Sequence, residues 1–138
     1  MKGLDKYLTT NPFDEVRGTK RKVFAPAVPK ITTAGLTNAT LRVLHLNGFT
    51  AWRNNNIPTF DAKRNIYRAN TTKKGISDII GFQRSTGRFL AVEIKNGKDK
   101  LSAEQKVFLE DVKNGGGIAM VIYNMTDVEN IKEVVKFL

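Results

Sequence analysis

Two carboxylates and a lysine in the second half of the chain are spaced so that folding can bring them together. Asp78 begins one apolar run, and Glu93 and Lys95 lie at the end of the next. Because side chains alternate along a strand, Glu93 and Lys95 project from the same face, about 6.6 Å apart along it. A short turn over residues 85–87 joins the two runs, so Asp78 can reach the same edge of the sheet.

Such a cluster can hold a hard cation against a phosphate. Buried charge without a partner is costly, so two carboxylates beside apolar strands need compensation. Mg²⁺ takes oxygen ligands, typically one or two carboxylates with water and substrate phosphate, and it lowers the pKa of a bound water. A nearby lysine can position or deprotonate the attacking water, or offset charge in the transition state. Glu-x-Lys by itself is typical of a solvated ion pair, so only the joint pattern indicates chemistry.

Composition excludes several classes of site. The 138 residues are 41% hydrophobic and 26% charged, as in a single globular domain. The absence of cysteine excludes disulfide frameworks, thiolate zinc sites and cysteine nucleophiles, and the single histidine, His45, is interpreted as structural. No apolar stretch approaches the roughly 18 residues of a membrane span. The first thirty residues lack the apolar core of a signal peptide.

The excess positive charge lies in the first 76 residues. The net charge is +10, and seven bases against three acids over residues 1–30 contribute +4 of it. Seven bases against one acid over residues 31–76 contribute the other +6, because residues 77–138 are balanced. This distribution favours attraction to a phosphate backbone. The alternatives are a basic solvated surface, an acidic partner or an anionic membrane, although no basic amphipathic helix supports the membrane.

The apolar pattern predicts an α/β (α+β) sandwich, a mixed central sheet flanked by helices in the order α-β-β-β-α-β-α. We expect an irregular basic arm over residues 1–30, including Lys20-Arg21-Lys22, before the folded domain over residues 31–138. The first helix is predicted from Thr33 to Asn47, ending at Gly48. Its apolar face comprises Leu36, Ala39, Val43 and Leu46.

The remaining elements follow from similar signals. Residues 54–74 are predicted to form a loop with one short strand near residues 65–69. Ser102-x-x-Gln105 is a capping-box pattern that opens a helix to Asn114, and Thr126-x-x-Glu129 is expected to open the last helix. Strands are predicted at residues 49–53, 78–83, 89–95 and 118–123, of which the third is a central strand covered on both faces.

Three runs taken together resemble a known family of nucleases. GISDIIG over residues 75–81, AVEIK over residues 91–95 and LSAEQ over residues 101–105 look like the PD-(D/E)xK nuclease superfamily. They are most similar to small VRR-NUC domain proteins, often phage-encoded, which resemble archaeal-type Holliday junction resolvases. The resemblance extends from about Thr33 to Leu138 and implies a restriction-endonuclease-like core.

The resemblance also implies roles for individual residues. Asp78 and Glu93 would ligate Mg²⁺ or Mn²⁺ with the backbone carbonyl of Ile94 as a third ligand, and Lys95 would be the catalytic lysine. Gln105 matches a glutamine beside the active site of many relatives, although the capping box explains it equally well. Residues 33–40 lack the glutamate that relatives carry on their first helix, which leaves the number of metal ions open. Ser77 replaces a proline that is common in relatives.

The function implied is a metal-dependent DNA endonuclease, selective for branched DNA such as a Holliday junction. A resolvase cuts two strands, so one site per chain implies a homodimer. No membrane and no small-molecule organic cofactor are expected, and the location would be the cytoplasm of a bacterium or a phage-infected host cell. The alternatives are a nickase, flap or restriction-like nuclease, or an inactive DNA-binding module of the same fold.

Contacts to DNA are expected after the first helix, where relatives place substrate-facing residues. Each of these side chains has the alternative role of keeping a loop soluble, and Trp52 is predicted to be a core residue rather than a platform for a base. The predicted contacts are Arg53, Asn55, Lys63, Arg64, Arg68, Lys73 and Lys74.

Overall fold

The fold is mixed α/β, as predicted. The computed structural model describes residues 30–55, 58–68 and 73–138, so the predicted basic arm lies outside the described residues except for Lys30. The helices are α1 (Thr33–Leu46), α2 (Ala103–Asn114) and α3 (Met125–Lys136). The strands are β1 (Phe49–Arg53), β2 (Thr59–Asp61), β3 (Ile66–Arg68), β4 (Ile79–Gln83), β5 (Phe89–Ile94) and β6 (Ile118–Ile122).

Four strands form one mixed sheet in the order β1-β4-β5-β6. Strand β4 is antiparallel to β1 and β5, whereas β5 and β6 are parallel and are joined through α2. Strands β2 and β3 form a separate two-stranded hairpin. The four-stranded sheet with three helices is consistent with a restriction-endonuclease-like core.

Helices cover both faces of β5. Helices α1 and α3 pack against each other and bury one face of the sheet, where Leu36, Val92 and Val128 are fully buried. Helix α2 contacts β5 and β6 on the other face of the sheet. Ala91 of β5 is fully buried under this helix. The prediction that β5 is a central strand is therefore confirmed.

Two strands are less well covered on the α2 side. Among the described strands, α2 packs on β5 and β6, and Trp52 of β1, paired with Ile80 of β4, is half-exposed on that side. The prediction that Trp52 is a core residue is therefore wrong. Close approach of β1 to β4 requires Gly81, because a Cβ there would collide with the backbone of Thr50 and Ala51.

The buried face of α1 agrees with the predicted one at Leu36 and at Ala39 and Val43, which pack against the core, but it differs at Leu46. Leu46 is 78% exposed, and the buried side chains are Leu36, Thr37, Thr40 and Leu44. Both threonines tolerate burial because their hydroxyls donate to the carbonyl oxygens of Thr33 and Leu36, each at 2.8 Å. An apolar pattern therefore misses them. The imidazole of His45 lies 2.9 Å from the carbonyl oxygen of Ala51, a contact within the fold.

One additional strand and the start of one helix also differ from the prediction. The loop predicted around one short strand contains a second strand, β2, whose three residues are too few to show a periodicity. Helix α3 begins at Met125 rather than at Thr126, because Asn124 is its N-cap and accepts from the Asp127 N–H at 3.0 Å. Asparagine caps as well as threonine, so the pattern alone did not distinguish them.

None of the described helices combines the length and the apolar character needed to cross a bilayer.

Candidate active site

Asp78 and Glu93 meet at one end of the sheet. Ile79 pairs with Val92, so continuing the antiparallel register by one residue sets Asp78 opposite Glu93. The backbone N–H of Ile94 donates to Asp78 Oδ2 at 2.9 Å, which fixes this carboxylate against β5. The structure thus brings together the two acids that the sequence pairs across fifteen positions.

The Glu93 carboxylate is buried and incompletely bonded. Its residue is 1% exposed, and Oε1 accepts from Lys95 Nζ at 3.0 Å and from Gln105 Nε2 at 2.5 Å. No partner for Oε2 is found among the described residues. Burial raises the pKa of Glu93, the hydrogen bond from Lys95 partly offsets this, and the charge of Asp78 raises the pKa further. One buried carboxylate oxygen is therefore left needing a positive partner.

A hard divalent cation fits this donor set. Mg²⁺ and Mn²⁺ accept carboxylate oxygens, and Glu93, whose Oε2 is unbonded, lies opposite a second carboxylate, that of Asp78. Within the described ranges, no group of three or more His, Cys, Asp or Glu side chains is assembled, and the first turn of α1 has no acid. The chain accordingly offers two carboxylates, and water, backbone and phosphate oxygens would supply the other ligands.

Lys95 is held rigidly at the end of β5. Its side chain is 13% exposed, and its backbone N–H donates to the carbonyl oxygen of Ile122 at 2.9 Å, extending the parallel ladder. The next residue, Asn96, donates from Nδ2 to the carbonyl oxygen of Ile31 at 3.0 Å. This bond ties the segment after the lysine to the chain before α1. The sequence analysis did not single out Asn96, because its acceptor is a backbone atom 65 residues away.

Gln105 forms the predicted capping box and also contacts Glu93. Its Oε1 accepts from the backbone N–H of Ser102 at 2.9 Å, and Ser102 Oγ accepts from the Gln105 N–H at 3.2 Å, completing the capping box. The opposite end of the same amide, Nε2, donates to Glu93. The cap of α2 therefore orients a donor toward the carboxylate.

Asn54 is a further residue at this edge that the sequence analysis did not select. Its backbone N–H donates to the carbonyl oxygen of Asp78 at 2.7 Å, and Nδ2 donates to that of Ser77 at 3.3 Å. The feature of the sequence that could have identified Asn54 is its position directly after the last residue of β1. Arg53 pairs with Ile79, which belongs by alternation to the opposite face from Asp78. The structure therefore does not bring Arg53 beside the carboxylates, and Asn55 is exposed.

Five predicted DNA contacts divide into two groups. Lys63, Arg64 and Arg68 belong to the separate β2–β3 hairpin, on which Arg68 forms an ion pair with Asp61. Lys73 and Lys74 precede Gly75, which lies against the backbone of Glu104 in α2.

The two lysines near α2 already have neighbours there. Lys73 Nζ lies 5.8 Å from the centre of the Phe108 ring and 3.9 Å from Asp111 Oδ2. The pKa of the exposed Glu104 is lowered by hydrogen bonds from its own backbone and from Ser102, and to a smaller extent by the charge of Lys74.

Comparison with protein families identifies one match. The sequence profile of the VRR-NUC domain matches residues 51–125, which is more than half of the chain. This range extends from β1 to the start of α3 and includes Asp78, Glu93, Lys95 and Gln105. No curated protein matches the chain.

The unbonded oxygen of Glu93 predicts stabilisation by metal. Millimolar Mg²⁺ or Mn²⁺ should raise the melting temperature, by about 5 °C at ten times the dissociation constant. Glu93→Gln should abolish the rise, because a neutral amide binds hard cations poorly. Glu133→Gln, which alters an exposed glutamate on α3, should keep it. Equal rises in all three proteins, measured by differential scanning calorimetry, would contradict a metal site at Glu93.

The two bonds of the Gln105 amide can be separated experimentally. Ser102→Ala should lower the free energy of unfolding by about 1 kcal/mol, because it removes a cap, and should leave the metal-dependent rise intact. Gln105→Ala should cost at least as much and also diminish the rise, because Glu93 loses its amide donor. Urea titrations with and without Mn²⁺ measure both quantities. Identical metal dependence in the two variants would limit Gln105 to capping.

Proposed function

The chain belongs to the VRR-NUC domain family, which is related to the PD-(D/E)xK nucleases, and from this premise we propose that it is a metal-dependent DNA endonuclease. The observation that carries the proposal is the buried Glu93 carboxylate, with one oxygen unbonded among the described residues, beside Asp78. A purely structural glutamate at this depth would have its oxygens bonded. An incompletely bonded one suits a ligand that arrives from solution.

The proposed roles follow from what each group touches. Asp78 and Glu93 would hold Mg²⁺ or Mn²⁺, with the Ile94 carbonyl as a further donor. When bound, the ion supplies a water of lowered pKa and neutralises charge on the phosphate. Lys95, 3.0 Å from Glu93 Oε1, points its ammonium at the same region, where it can donate to the attacking water or to a phosphate oxygen. Gln105 is a positioning residue, because it acts through Glu93.

Hydrolysis of the phosphodiester makes demands that these groups meet. A bond forms between the water oxygen and phosphorus, one P–O ester bond breaks, the water loses a proton, and the departing oxygen gains one. Negative charge accumulates on the phosphate oxygens during attack. Lys95 stabilises that charge from the end of a rigid strand, so little reorganisation is needed when the transition state forms.

The substrate proposal rests on charge. A formal +10, concentrated in the first 76 residues, favours binding to a polyanion and predicts affinity that falls steeply with salt. The contacts we propose are Arg53, Asn55, Lys63, Arg64, Arg68, Lys73 and Lys74. Arg53 would need to reach DNA around the edge of β1, and Lys73 would need to leave Asp111.

We further propose that the preferred substrate is branched DNA, such as a Holliday junction. A junction is resolved by two cuts, and the proposed centre offers one carboxylate pair per chain, so the active form would be a homodimer. Residues 31–138 would form the nuclease domain, and residues 1–30 an arm that grips DNA or the second subunit. A nickase, a flap nuclease or a restriction-like nuclease needs no such symmetry.

One observation favours a different function. Helix α1 carries no acid, whereas relatives contribute a glutamate from their first helix to the metal site. A member with too few ligands would bind DNA without cutting it. The inactive DNA-binding module is therefore retained as a second candidate, to be distinguished by cleavage.

Cleavage assays decide between these functions. The protein should cut a labelled four-way junction in Mg²⁺ or Mn²⁺, faster than a flap or a linear duplex, and EDTA should stop it. Lys95→Met should reduce the rate at least about a hundredfold, because it removes the positive charge near the phosphate. Lys98→Met changes an exposed lysine three residues away and should leave the rate within a few-fold. Binding without cleavage in either metal would support the inactive module.

The oligomeric state tests the junction proposal independently. Sedimentation of the protein with and without a four-way junction should give two chains per junction, because two strands must be cut. Paired cuts at symmetric positions should appear on the same time course. One chain per complex under both conditions would support nicking or flap cleavage instead.

A further inference from the structure

The β2–β3 hairpin is an exposed ribbon that is held in place by contacts within its own residues. It runs from Thr59 to Arg68, and its strands pair with each other but with no strand of the described four-stranded sheet. An isolated two-stranded hairpin is marginally stable in water, so its turn must be stabilised. We refer to Thr59–Arg68 as the basic hairpin.

Asp61 organises the turn of the basic hairpin. Its Oδ1 accepts from the backbone N–H groups of Lys63 at 3.1 Å and Arg64 at 3.4 Å, and its Oδ2 pairs with the Arg68 guanidinium at 2.5 Å. Asn65 completes the turn in the left-handed conformation, with φ of 52°. The side chains of Lys63 and Arg64 are consequently displayed, exposed, at the tip of a defined turn.

Two aromatic rings are displayed on the same ribbon. Phe60 and Tyr67 are cross-strand partners whose ring centres are 5.1 Å apart at an angle of 53°. They are 49% and 73% exposed, and neither belongs to the hydrophobic core. The pair stabilises the ribbon, as cross-strand aromatic pairs do, yet leaves most of its surface in water. Exposed apolar area of this kind indicates a binding surface.

Charge identifies the partner of the basic hairpin as an anion. Lys63, Arg64 and Arg68 outnumber Asp61, the one acid on the ribbon. A second copy of this chain, also at +10, would bring like charge to the same surface, so self-association through it is disfavoured. A polyanion that also offers flat apolar faces satisfies both the cations and the rings. Nucleic acid has this chemistry.

The rings restrict which nucleic acid fits. In a regular duplex the base faces are covered by the neighbouring bases, so a protein reaches phosphates, sugars and base edges but no face on which a ring could stack. Unpaired bases expose their faces, and stacking on aromatic side chains is the usual way in which proteins bind them. We propose that the basic hairpin binds unpaired bases next to the cleavage site and thereby selects branched or partly single-stranded DNA. This inference rests on the proposed function only in taking DNA as the substrate.

Chain length keeps the basic hairpin close to the carboxylates. Asn54 is bonded to Asp78, and Thr59 follows five residues later. Five residues span at most about 18 Å when extended. Consecutive bases of a stacked strand rise by about 3.4 Å, so the first strand of the hairpin begins within about five nucleotides of a phosphate held at Asp78.

The test measures base stacking without cleavage. A four-way junction carries one 2-aminopurine as an additional, unpaired nucleotide inserted at its branch, and a matched linear duplex carries one paired 2-aminopurine. Binding is titrated in EDTA by anisotropy and by 2-aminopurine emission. Wild-type protein should prefer the junction and quench its probe. The Phe60→Ala/Tyr67→Ala protein should lose the quenching and about tenfold in junction affinity per stacked base, with duplex affinity unchanged.

Three matched variants separate stacking from other effects. Tyr67→Phe keeps the ring and should behave as wild type, and Phe137→Ala removes an exposed ring at the end of α3 and should do the same. Lys63→Ala/Arg64→Ala should weaken junction and duplex alike and reduce the salt dependence of both. Unfolding curves check that the aromatic double variant keeps its core.

The outcomes are separable from those of the proposed function. Unchanged quenching and an unchanged junction preference in the aromatic double variant would overturn the inference, whether or not the enzyme cuts. Tighter self-association of wild type than of this variant, without any difference on DNA, would identify a second copy as the occupant and also overturn it. Absence of cleavage by wild type would count against the proposed nuclease alone, because the binding measurement requires no metal.

Discussion

The proposed chemistry depends on one buried carboxylate whose hydrogen bonding is half complete. Glu93 lies on the most protected strand of the sheet, where ionisation is opposed by burial and by the neighbouring charge of Asp78. Lys95 and Gln105 both bond to Oε1, which leaves Oε2 without a partner among the described residues. A buried charge of this kind is tolerated only where a favourable interaction offsets the free-energy cost of its desolvation. Binding a divalent cation is a gain of that kind.

The surrounding fold supports this carboxylate through bonds that do not themselves need a metal. The Ile94 N–H fixes Asp78, and the parallel ladder to β6 fixes the backbone of Lys95. The N-terminal cap of α2 fixes Gln105. Each residue near the centre is thus attached to a rigid element by its backbone or by a capping bond. Preorganisation of this type allows two carboxylates to remain adjacent before a cation neutralises them.

The groups proposed for DNA recognition are ordered differently from those proposed for catalysis. The carboxylates lie at the end of a buried strand, whereas the rings and cations of the basic hairpin are exposed and are ordered only by a local turn at Asp61. A separate ribbon can vary without disturbing the sheet, because the hairpin shares no ladder with the strands that carry the acids. The proposed hydrolysis and the proposed DNA binding are therefore assigned to different parts of one small domain.

The sequence alone determined the mixed α/β class, the central strand and the residues of the proposed centre. These depend on local signals: continuous apolar runs, a capping box, and side-chain alternation that sets Glu93 and Lys95 on one face. The sequence left Gln105 open between a cap and a site beside Glu93, because a sequence cannot show that one end of the amide bonds to Ser102 and the other to Glu93.

Tertiary structure alone decided what depends on partners distant in the chain. The register of β1 against β4 put Asn54 beside Asp78 and Arg53 on the opposite face, and the position of α2 left Trp52 half-exposed. Buried threonines replaced Leu46 on α1 because backbone carbonyl oxygens accept their hydroxyls. Burial, and with it the raised pKa of Glu93, is set by everything packed around a group, so no local pattern contains it.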